Sequence, residues 1–246
     1  MIDLHCHLLP GLDDGPRTMP EALALARRAA ASGTSTIVAT PHINHHWRVD
    51  PLELAGRVAA IQEALDRDGI SLQVRTGGEI AITRLADLRA EEIDAVRLGG
   101  GPYLLLECPS DPSPWDFDAV LLKLRERGES MLLAHPERCP LFQREPERLV
   151  RLVESGLLCS ITAGSMWGQF GGRVQRFTIE LLRARLVHDV ASDAHDSERR
   201  PPGLGAAFTA AEQDLPGISA QAEWLSQLAP AAILAGESLP AMPPVG

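Results

Sequence analysis

Residues 1–15 read MIDLHCHLLPGLDDG and predict a short strand followed by a loop rich in glycine and proline. Because side chains alternate along a strand, His5 and His7 project from one face and Cys6 from the other. Two imidazoles at one strand end can reach the same ion, and Asp14 on the loop could bring a carboxylate to it. The histidines also fit a solvated strand edge, so the rest of the chain must decide between the two interpretations.

Composition limits the kind of protein that this chain can be. Its 246 residues suit one α/β barrel, and a hydrophobic content of 45% is enough for a buried core. The formal net charge of −10 argues against a nucleic-acid or anionic-membrane surface, since phosphates are bound mainly by clustered lysine and arginine. The sequence shows no secretory signal, no bilayer-spanning apolar run and no C-x-x-C pair among its four cysteines. We therefore expect a cytoplasmic protein with reduced thiols that neither binds nucleic acid nor inserts into a membrane.

Apolar runs and helical periodicity alternate about seven times along the chain. Strands are predicted over residues 2–7, 35–40, 72–76, 103–106, 131–134, 158–162 and 187–192. Helices are predicted over residues 18–32, 51–68, 115–127, 145–154, 174–185, 205–213 and 218–234, the first with a capping box from Thr18 to Glu21. This alternation predicts a parallel α/β barrel, with one domain over residues 1–240 and a frayed, proline-rich tail over 241–246.

Residues of metal-ligand type follow nearly every predicted strand, at the ends where α/β barrels carry their active sites. They are His5, His7, Asp14, His42, Glu79, Glu107, His135, Asp193 and His195. Individually, Glu79 could begin a helix, His135 could turn a loop and Asp193 could cap a helix. Together they would crowd several carboxylates at one barrel mouth without compensation, which favours bound cations.

The number and type of these ligands indicate more than one ion. Eight or nine ligands exceed the needs of one ion, and a nitrogen and oxygen set without cysteine suits manganese, iron or zinc better than calcium. Arg138 follows His135 by three residues and Arg200 follows His195 by five. Both arginines could form bidentate contacts with a phosphoryl group, or they could be solvated surface residues.

The motifs carrying these residues resemble the PHP (polymerase and histidinol phosphatase) superfamily. The resemblance is greatest to its bacterial tyrosine-protein phosphatases of capsule and exopolysaccharide operons. It covers nearly the whole chain through MIDLHCHLLPGLDDG at 1–15, TIVATPH at 36–42, GGEI at 77–80, LLLE at 104–107, LLAHPER at 132–138, ITAGSMWGQFG at 161–171 and ASDAH at 191–195. The loop after His42 matches less well, so His45 and His46 receive no role, and His188 is expected to be structural.

The resemblance implies a distorted (β/α)7 barrel of the PHP type with three divalent metal ions, manganese first, with iron or zinc as alternatives. By position, the ligand sets are His5, His7, Glu79 and Asp193; Glu79, Glu107 and His135; and Asp14, His42 and His195. Arg138 and Arg200 would be the catalytic arginines that bind the phosphate.

The implied activity is hydrolysis of phosphotyrosine, with the tail of a bacterial tyrosine kinase that controls capsule or exopolysaccharide synthesis as the partner. Cys6 is not expected to be a nucleophile, because it faces away from the ligands and no C-x5-R loop surrounds any cysteine. Two alternatives stay open at this point. They are a small-molecule phosphomonoesterase such as histidinol phosphatase, and a non-catalytic PHP module that binds metal or docks a kinase.

Overall fold

A computed structural model describes residues 1–109 and 117–244 and has an α/β fold built on parallel sheets. Within these ranges the strands are β1 (Ile2–Cys6), β2 (Thr36–Ala39), β3 (His42–Ile43), β4 (Gln73–Thr76), β5 (Glu79–Ala81), β6 (Tyr103–Glu107), β7 (Ser130–Ala134), β8 (Leu158–Thr162) and β9 (Asp189–Ala191). The helices are α1 (Met19–Ala31), α2 (Leu54–Arg67), α3 (Ile82–Leu85), α4 (Ala90–Ala95), α5 (Phe117–Glu126), α6 (Pro140–Arg144), α7 (Pro146–Glu154), α8 (Ala163–Met166), α9 (Gly172–Arg183), α10 (Leu204–Ala211) and α11 (Ala229–Ala235). One sheet has the order β1-β2-β4 and the other the order β3-β5-β6-β7-β8-β9.

Two of the predicted strands continue, after a break, into short strands of the second sheet. Strand β2 pairs with β4, and after the breaks β3 pairs with β5 in the same parallel sense. Pro41 ends β2 because it has no backbone N–H to donate. Between β4 and β5, a Cβ on Gly77 would lie 2.6 Å from Val38 Cγ1, and one on Gly78 would lie 2.8 Å from Ile43 Cγ1. These breaks transfer the chain from one sheet to the other, and the segments beyond them carry His42 and Glu79.

The outer strands of the two sheets, β1 and β9, meet just beyond β9. Cys6 forms an isolated parallel bridge with Ala194. The Asp193 N–H donates to His5 O at 2.8 Å, and the His7 N–H donates to Ala194 O at 2.9 Å. These bonds bring the ends of the first and last strands together, and both ends carry predicted metal ligands.

Alternate residues of the central strands enter different hydrophobic clusters. Leu104 and Leu106 of β6 belong to the larger cluster, which includes Leu25 of α1 and Phe208 of α10. Leu105, between them, belongs to a smaller cluster with residues of β1, β7 and α11. Burial on both faces is typical of parallel strands, and it holds these strand ends in fixed positions.

Helix starts follow the predicted capping residues, with one difference. Thr18 Oγ1 accepts from the Glu21 N–H at 3.4 Å, as predicted, but the Glu21 carboxylate accepts from the Arg17 N–H at 2.7 Å and so does not close the box on Thr18. Asp50 Oδ1 accepts from the Leu52 N–H at 2.9 Å and caps a 3-10 turn that leads into α2.

The other helices differ from the prediction mainly in length and continuity. Helix α5 begins at Phe117, and the first two residues of the helix predicted over 115–127 lie outside the described residues. The helix predicted over 218–234 is divided into a 3-10 turn (Ile218–Gln221), a π-helical turn (Trp224–Leu228) and α11. Pro230 explains the irregular turn before α11, since it cannot donate to a carbonyl in the preceding turn. The short helices α3, α4, α6 and α8 were not predicted.

The described part of the tail contacts the domain. The carbonyls of Pro240, Met242 and Pro243 accept hydrogen bonds from Trp224, Arg185 and Gln221 at 2.8 to 2.9 Å. No helix among the described residues is both long enough and apolar enough to cross a bilayer.

Candidate metal centre

All nine residues predicted as ligands lie at one end of the parallel strands. His5 and His7 lie at the end of β1, Glu107 closes β6, and His135, Asp193 and His195 follow β7 and β9. His42 and Glu79 begin the short strands β3 and β5, just after the breaks that follow β2 and β4, and Asp14 lies on the loop between β1 and α1. Six of them are buried, His42 and Glu107 are partly buried, and the Asp14 side chain is 46% exposed. The structure therefore brings the predicted set into one region.

Glu79 lies at the centre of this region and is almost fully buried. His135 Nε2 is 2.7 Å from Glu79 Oε1, and His42 Nδ1 is 2.9 Å from Oε2. The Nε2 atoms of His5 and His7 are each 3.4 Å from Oε2. Burial alone would raise the pKa of Glu79, but the charge of His5 and the close imidazoles of His135 and His42 hold it well below its usual range.

Four groups of ligand atoms lie close enough to hold a cation, with the atoms of each group within 4.8 Å of one another. The groups are His7, Asp14, His42 and His195; His5, His7 and Asp193; His5, Glu79 and His135; and His42, Glu79 and Glu107. They differ from the predicted sets in several respects. His7 joins the group of Asp14, and Glu79 is not in the group of His5, His7 and Asp193. His5 lies with Glu79 and His135, and Glu107 lies with His42 and Glu79 rather than with His135.

Several buried donor atoms fit a shared cation better than they fit hydrogen bonds. Among the described residues, His42 Nδ1 and His195 Nε2 are buried without a hydrogen-bond partner, although a carboxylate oxygen lies 2.9 Å from the first and 3.3 Å from the second. The Nε2 atoms of His5 and His7 lie only 3.3 Å apart. Such nitrogens need partners when buried, and a divalent ion bound between them and the carboxylates would be one.

The protonation equilibria of the outer ligands also fit cation binding. Burial, followed by the Arg138 charge, lowers the pKa of His135 to about 4, so the imidazole stays neutral as metal binding requires. Burial and the Glu79 carboxylate raise the pKa of Glu107 to about 7. Like charges this close disfavour a second ionised carboxylate, and a cation between the two would relieve that repulsion.

Asp13 supports this centre from behind, a role that the sequence interpretation missed. Its Oδ2 accepts from His7 Nδ1 at 2.7 Å and from the His42 N–H at 2.9 Å, and its Oδ1 accepts from the Gly15 N–H at 3.0 Å. A hydrogen bond at Nδ1 leaves Nε2 of His7 free for a metal. The signal was present in the Asp13-Asp14 doublet, but the sequence could not show that the two carboxylates point to different partners.

Arg138 and Arg200 converge on Asp193. Arg138 Nη2 donates to Asp193 Oδ2 at 2.6 Å. Arg200 Nη2 forms an ion pair with the same oxygen at 2.6 Å and donates to the Asp193 carbonyl at 3.1 Å. Burial would raise the pKa of Asp193, but the Arg138 and His5 charges hold it well below its usual range. Asp193 and His135 have φ values of 49° and 38°, which cost non-glycine residues about 1–3 kcal/mol each and commonly mark functional sites.

A cavity of about 320 Å³ opens between the ligand groups and these two arginines. His42, Glu79, Glu107, His135, Asp193 and His195 line it together with Cys108, Pro109 and Cys139. The Nε atom of Arg200 is buried and has no hydrogen-bond partner within the described ranges. The cavity thus combines candidate metal ligands with guanidinium donors, one of which is free for a further acceptor.

Four other residues that the sequence singled out lie outside the ligand groups. His45 and His46 are exposed, and His45 is 3.8 Å from Asp87. His188 Nδ1 accepts from the Cys159 N–H at 3.1 Å near the opposite end of the strands. Cys6 is buried in the larger hydrophobic cluster, with Sγ 3.8 Å from the Ala194 carbonyl. It faces away from the metal ligands, as predicted from the strand alternation.

The fold and the site define an α/β protein with a candidate metal centre at the carboxyl ends of its parallel strands. A family model described as capsular polysaccharide synthesis, CpsB/CapC, matches residues 1–225. The chain therefore belongs to the CpsB/CapC family.

Two curated relatives have related sequences. The tyrosine-protein phosphatase YwqE of Bacillus subtilis (strain 168) is 35% identical over 201 residues, which cover 81% of this chain and 79% of the relative. The putative tyrosine-protein phosphatase CapC of Staphylococcus aureus is 31% identical over 204 residues, which cover 82% of this chain and 79% of the relative.

Solved structures give the same assignment. A structure described among those of YwqE from Bacillus subtilis and CpsB from Streptococcus pneumoniae, "unique metal-dependent tyrosine phosphatases", matches with a TM-score of 0.88 and 32% identity. The match covers 99% of this chain and 98% of that one. A beta-aspartyl dipeptidase from Fervidobacterium islandicum AW-1 matches with a TM-score of 0.61 and 15% identity over 95% of this chain and 72% of its own, a likeness of fold alone.

Proposed function

We propose that this chain is a metal-dependent protein-tyrosine phosphatase that hydrolyses phosphotyrosine. The observation that carries the proposal is the cavity in which the ligand groups around Glu79 meet the guanidinium groups of Arg138 and Arg200. A phosphate monoester carries charge that both cations and bidentate arginines stabilise. The relatives named tyrosine-protein phosphatases support the same reaction.

We further propose that the centre holds three divalent ions, manganese first, with iron or zinc as alternatives. The residues that would hold them are His5, His7, Asp14, His42, Glu79, Glu107, His135, Asp193 and His195. When bound, such ions activate water and neutralise charge on a phosphoryl group. The unpartnered nitrogens of His42 and His195 and the raised pKa of Glu107 support this assignment.

The two arginines would bind and orient the phosphoryl group. Each places a guanidinium at the cavity wall, and the buried Nε of Arg200 can donate to a phosphoryl oxygen without breaking an existing bond. The same donors would stabilise the charge that develops on those oxygens. Phenolate, with a pKa near 10, is a fair leaving group, so we assign no side chain as general acid.

Cys6 takes no part in this mechanism. It is fully buried, and burial together with the nearby Asp3 carboxylate raises the pKa of its thiol well above the usual range. A buried neutral thiol is a poor nucleophile. This supports hydrolysis by water over a pathway in which Cys6 is the nucleophile.

The proposed partner is the phosphotyrosine-bearing tail of a bacterial tyrosine kinase, and the proposed compartment is the cytoplasm. The family description, capsular polysaccharide synthesis, supports a role in controlling capsule or exopolysaccharide production. All four cysteines are free, which suits a reducing compartment.

We infer that the two sheets are parts of a distorted barrel of the PHP type. The strand breaks that connect β2 to β3 and β4 to β5 join the sheets on one side. The bonds of Asp193 and His7 with β1 and the segment after β9 join them on the other side. If β2 with β3, and β4 with β5, are each counted as one interrupted strand, the nine strands become seven, as in the (β/α)7 arrangement.

The test is phosphate release from a phosphotyrosine peptide and from histidinol phosphate, after chelation and again after addition of manganese. We expect metal-dependent turnover of the peptide and none of histidinol phosphate. His135→Ala should abolish the turnover, because it removes a ligand bonded to Glu79. His46→Ala, at an exposed histidine outside the ligand groups, is the matched control and should keep it.

Each of the other outcomes argues against the proposal in a specific way. Turnover of histidinol phosphate alone would indicate a small-molecule phosphomonoesterase. No turnover of either substrate, by a folded protein that binds manganese, would indicate a non-catalytic metal-binding module.

A further inference from the structure

A single aromatic ring lies beside both arginines of the cavity. The Cζ atom of Arg138 is 4.7 Å from the centroid of the Phe170 ring, and the Cζ atom of Arg200 is 5.9 Å from it. Both distances are within the range of cation–π attraction. The arginines come from different loops, one after β7 and one before α10, so the ring is a contact that they share.

The segment that carries Phe170 is fixed against both loops. The Gln169 side-chain amide donates to the Arg199 carbonyl at 2.8 Å, directly beside Arg200. Glu137, directly before Arg138, accepts from the Thr162 N–H at 2.9 Å and from the Ser165 hydroxyl at 2.7 Å. These bonds connect the segment from Thr162 to Phe170 to the loop of each arginine.

Gly164 allows this close approach. A Cβ at Gly164 would lie 2.2 Å from Gln169 Oε1 and 3.2 Å from Phe170 Cε2. A side chain there would displace the end of the Gln169 side chain and press against the ring, so the glycine leaves room for Phe170 at this position.

We propose that Phe170 is a positioning residue that holds Arg138 and Arg200 in the orientation that binds the phosphoryl group. The inference rests on the phosphate-binding role proposed above for the two arginines. Asp193, whose Oδ2 contacts both arginines, also belongs to a candidate ligand group, with Oδ1 3.5 Å from the Nε2 atoms of His5 and His7, so its charge is divided among several partners. The Phe170 ring has no such second role and constrains both guanidinium groups from one side.

The experiment compares Phe170→Leu with Phe170→Tyr. Leucine removes the π face but keeps an apolar side chain, whereas tyrosine keeps the ring. We expect Phe170→Leu to lower kcat/KM on a phosphotyrosine peptide by about 10-fold, and Phe170→Tyr to stay within about 2-fold of the wild type. Calorimetry with inorganic phosphate should show a similar loss of affinity for the leucine variant alone, and its manganese content and Tm should match the wild type.

Double variants test whether the ring acts through the arginines. If it does, adding Phe170→Leu to an Arg138→Met, Arg200→Met background should lower activity and phosphate affinity much less than it does in the wild type. A full 10-fold further loss in that background would overturn the inference. So would equal losses in the leucine and tyrosine variants, or wild-type activity and phosphate affinity in the leucine variant.

The arginine variants separate failure of the inference from failure of the proposed function. If Arg138→Met and Arg200→Met each keep wild-type turnover, the phosphate role of the arginines is wrong and the inference falls with it. If they lose turnover while Phe170→Leu does not, only the inference is wrong. Phe170 is half-buried, and Phe170→Met provides the same comparison if the leucine variant does not fold.

Discussion

Replacing Asp13 with asparagine should weaken metal binding and folding together. Asp13 is 8% exposed and accepts three hydrogen bonds, from the His7 imidazole and from the backbone N–H groups of His42 and Gly15. Asparagine has nearly the same shape but only one acceptor oxygen. If that oxygen keeps the bonds to His7 and His42, the amide NH₂ must face the Gly15 N–H, and two donors then oppose each other.

The size of the effect follows from these contacts. One buried donor left without a partner costs about 1–3 kcal/mol, and for a chain of this length each kcal/mol lowers Tm by about 2–4 °C. We therefore expect a loss of about 2 kcal/mol in the free energy of unfolding, with a fall in Tm of about 4–8 °C in chelator. Loss of a partner that orients a metal-binding histidine typically weakens metal affinity by about 10- to 100-fold.

The assay is urea denaturation in chelator together with calorimetric titration of manganese. Asp14→Asn is the matched control, since Asp14 belongs to a ligand group but its side chain is 46% exposed. It should weaken metal binding while changing the stability in chelator by less than about 0.5 kcal/mol. Wild-type manganese affinity in Asp13→Asn, or an equal loss of stability in the two variants, would refute the reasoning.

Three further changes test other parts of the structure. Cys6→Ser should keep most of the phosphatase activity, because the thiol faces away from the cavity. Complete loss of that activity in a folded Cys6→Ser variant would contradict hydrolysis by water. Burial raises the pKa of Asp189 well above its usual range, with the Ser160 hydroxyl donating to it. The Asp189 carboxyl loses its proton near pH 4 in the unfolded chain but keeps it in the folded chain. The free energy of unfolding of the wild type should therefore fall, relative to that of Asp189→Asn, as pH rises from 5 to 8. If the difference between the urea midpoints of the two proteins did not change with pH, this prediction would be contradicted. Gly78→Ala should lose about 1–3 kcal/mol, because its Cβ would lie 2.8 Å from Ile43, whereas Gly56→Ala, in an open helical position, should gain about 0.5–1 kcal/mol. Equal effects of the two alanines on Tm would contradict the packing argument.

The strands and their end residues could be predicted because both depend on local sequence. Residues 103–106, 131–134 and 158–162 are apolar runs, and the structure has strands at each of them. Once parallel strands are predicted, the ligand-type residues that follow them must gather at one edge. The sequence therefore identified, before any contact was known, a set of polar residues that the structure brings together.

The remaining features depend on contacts between distant segments. Pro41 and Gly77-Gly78 indicate breaks, but a two-residue strand such as β3 exists only because β5 lies beside it. Asp13 and Asp14 have the same chemistry, and only the folded loop decides which of them faces His7. The position of Phe170 beside two arginines depends on Gly164, 6 residues earlier, and no periodicity marks that relation.

The breaks in the strands connect the stability of the fold to the geometry of the site. Beyond Gly78, Glu79 enters the second sheet in register with His42 on one side and Leu105 on the other. That register lets the Glu79 carboxylate contact His42 of β3 on one side of β5. On the other side of β5 it contacts His135, which follows β7. A side chain at Gly78 would push against Ile43, the residue after His42, and so would move two candidate ligands at once. Gly78→Ala should therefore lose manganese affinity in addition to stability, whereas a change that only loosened the core would lower Tm and leave metal binding intact.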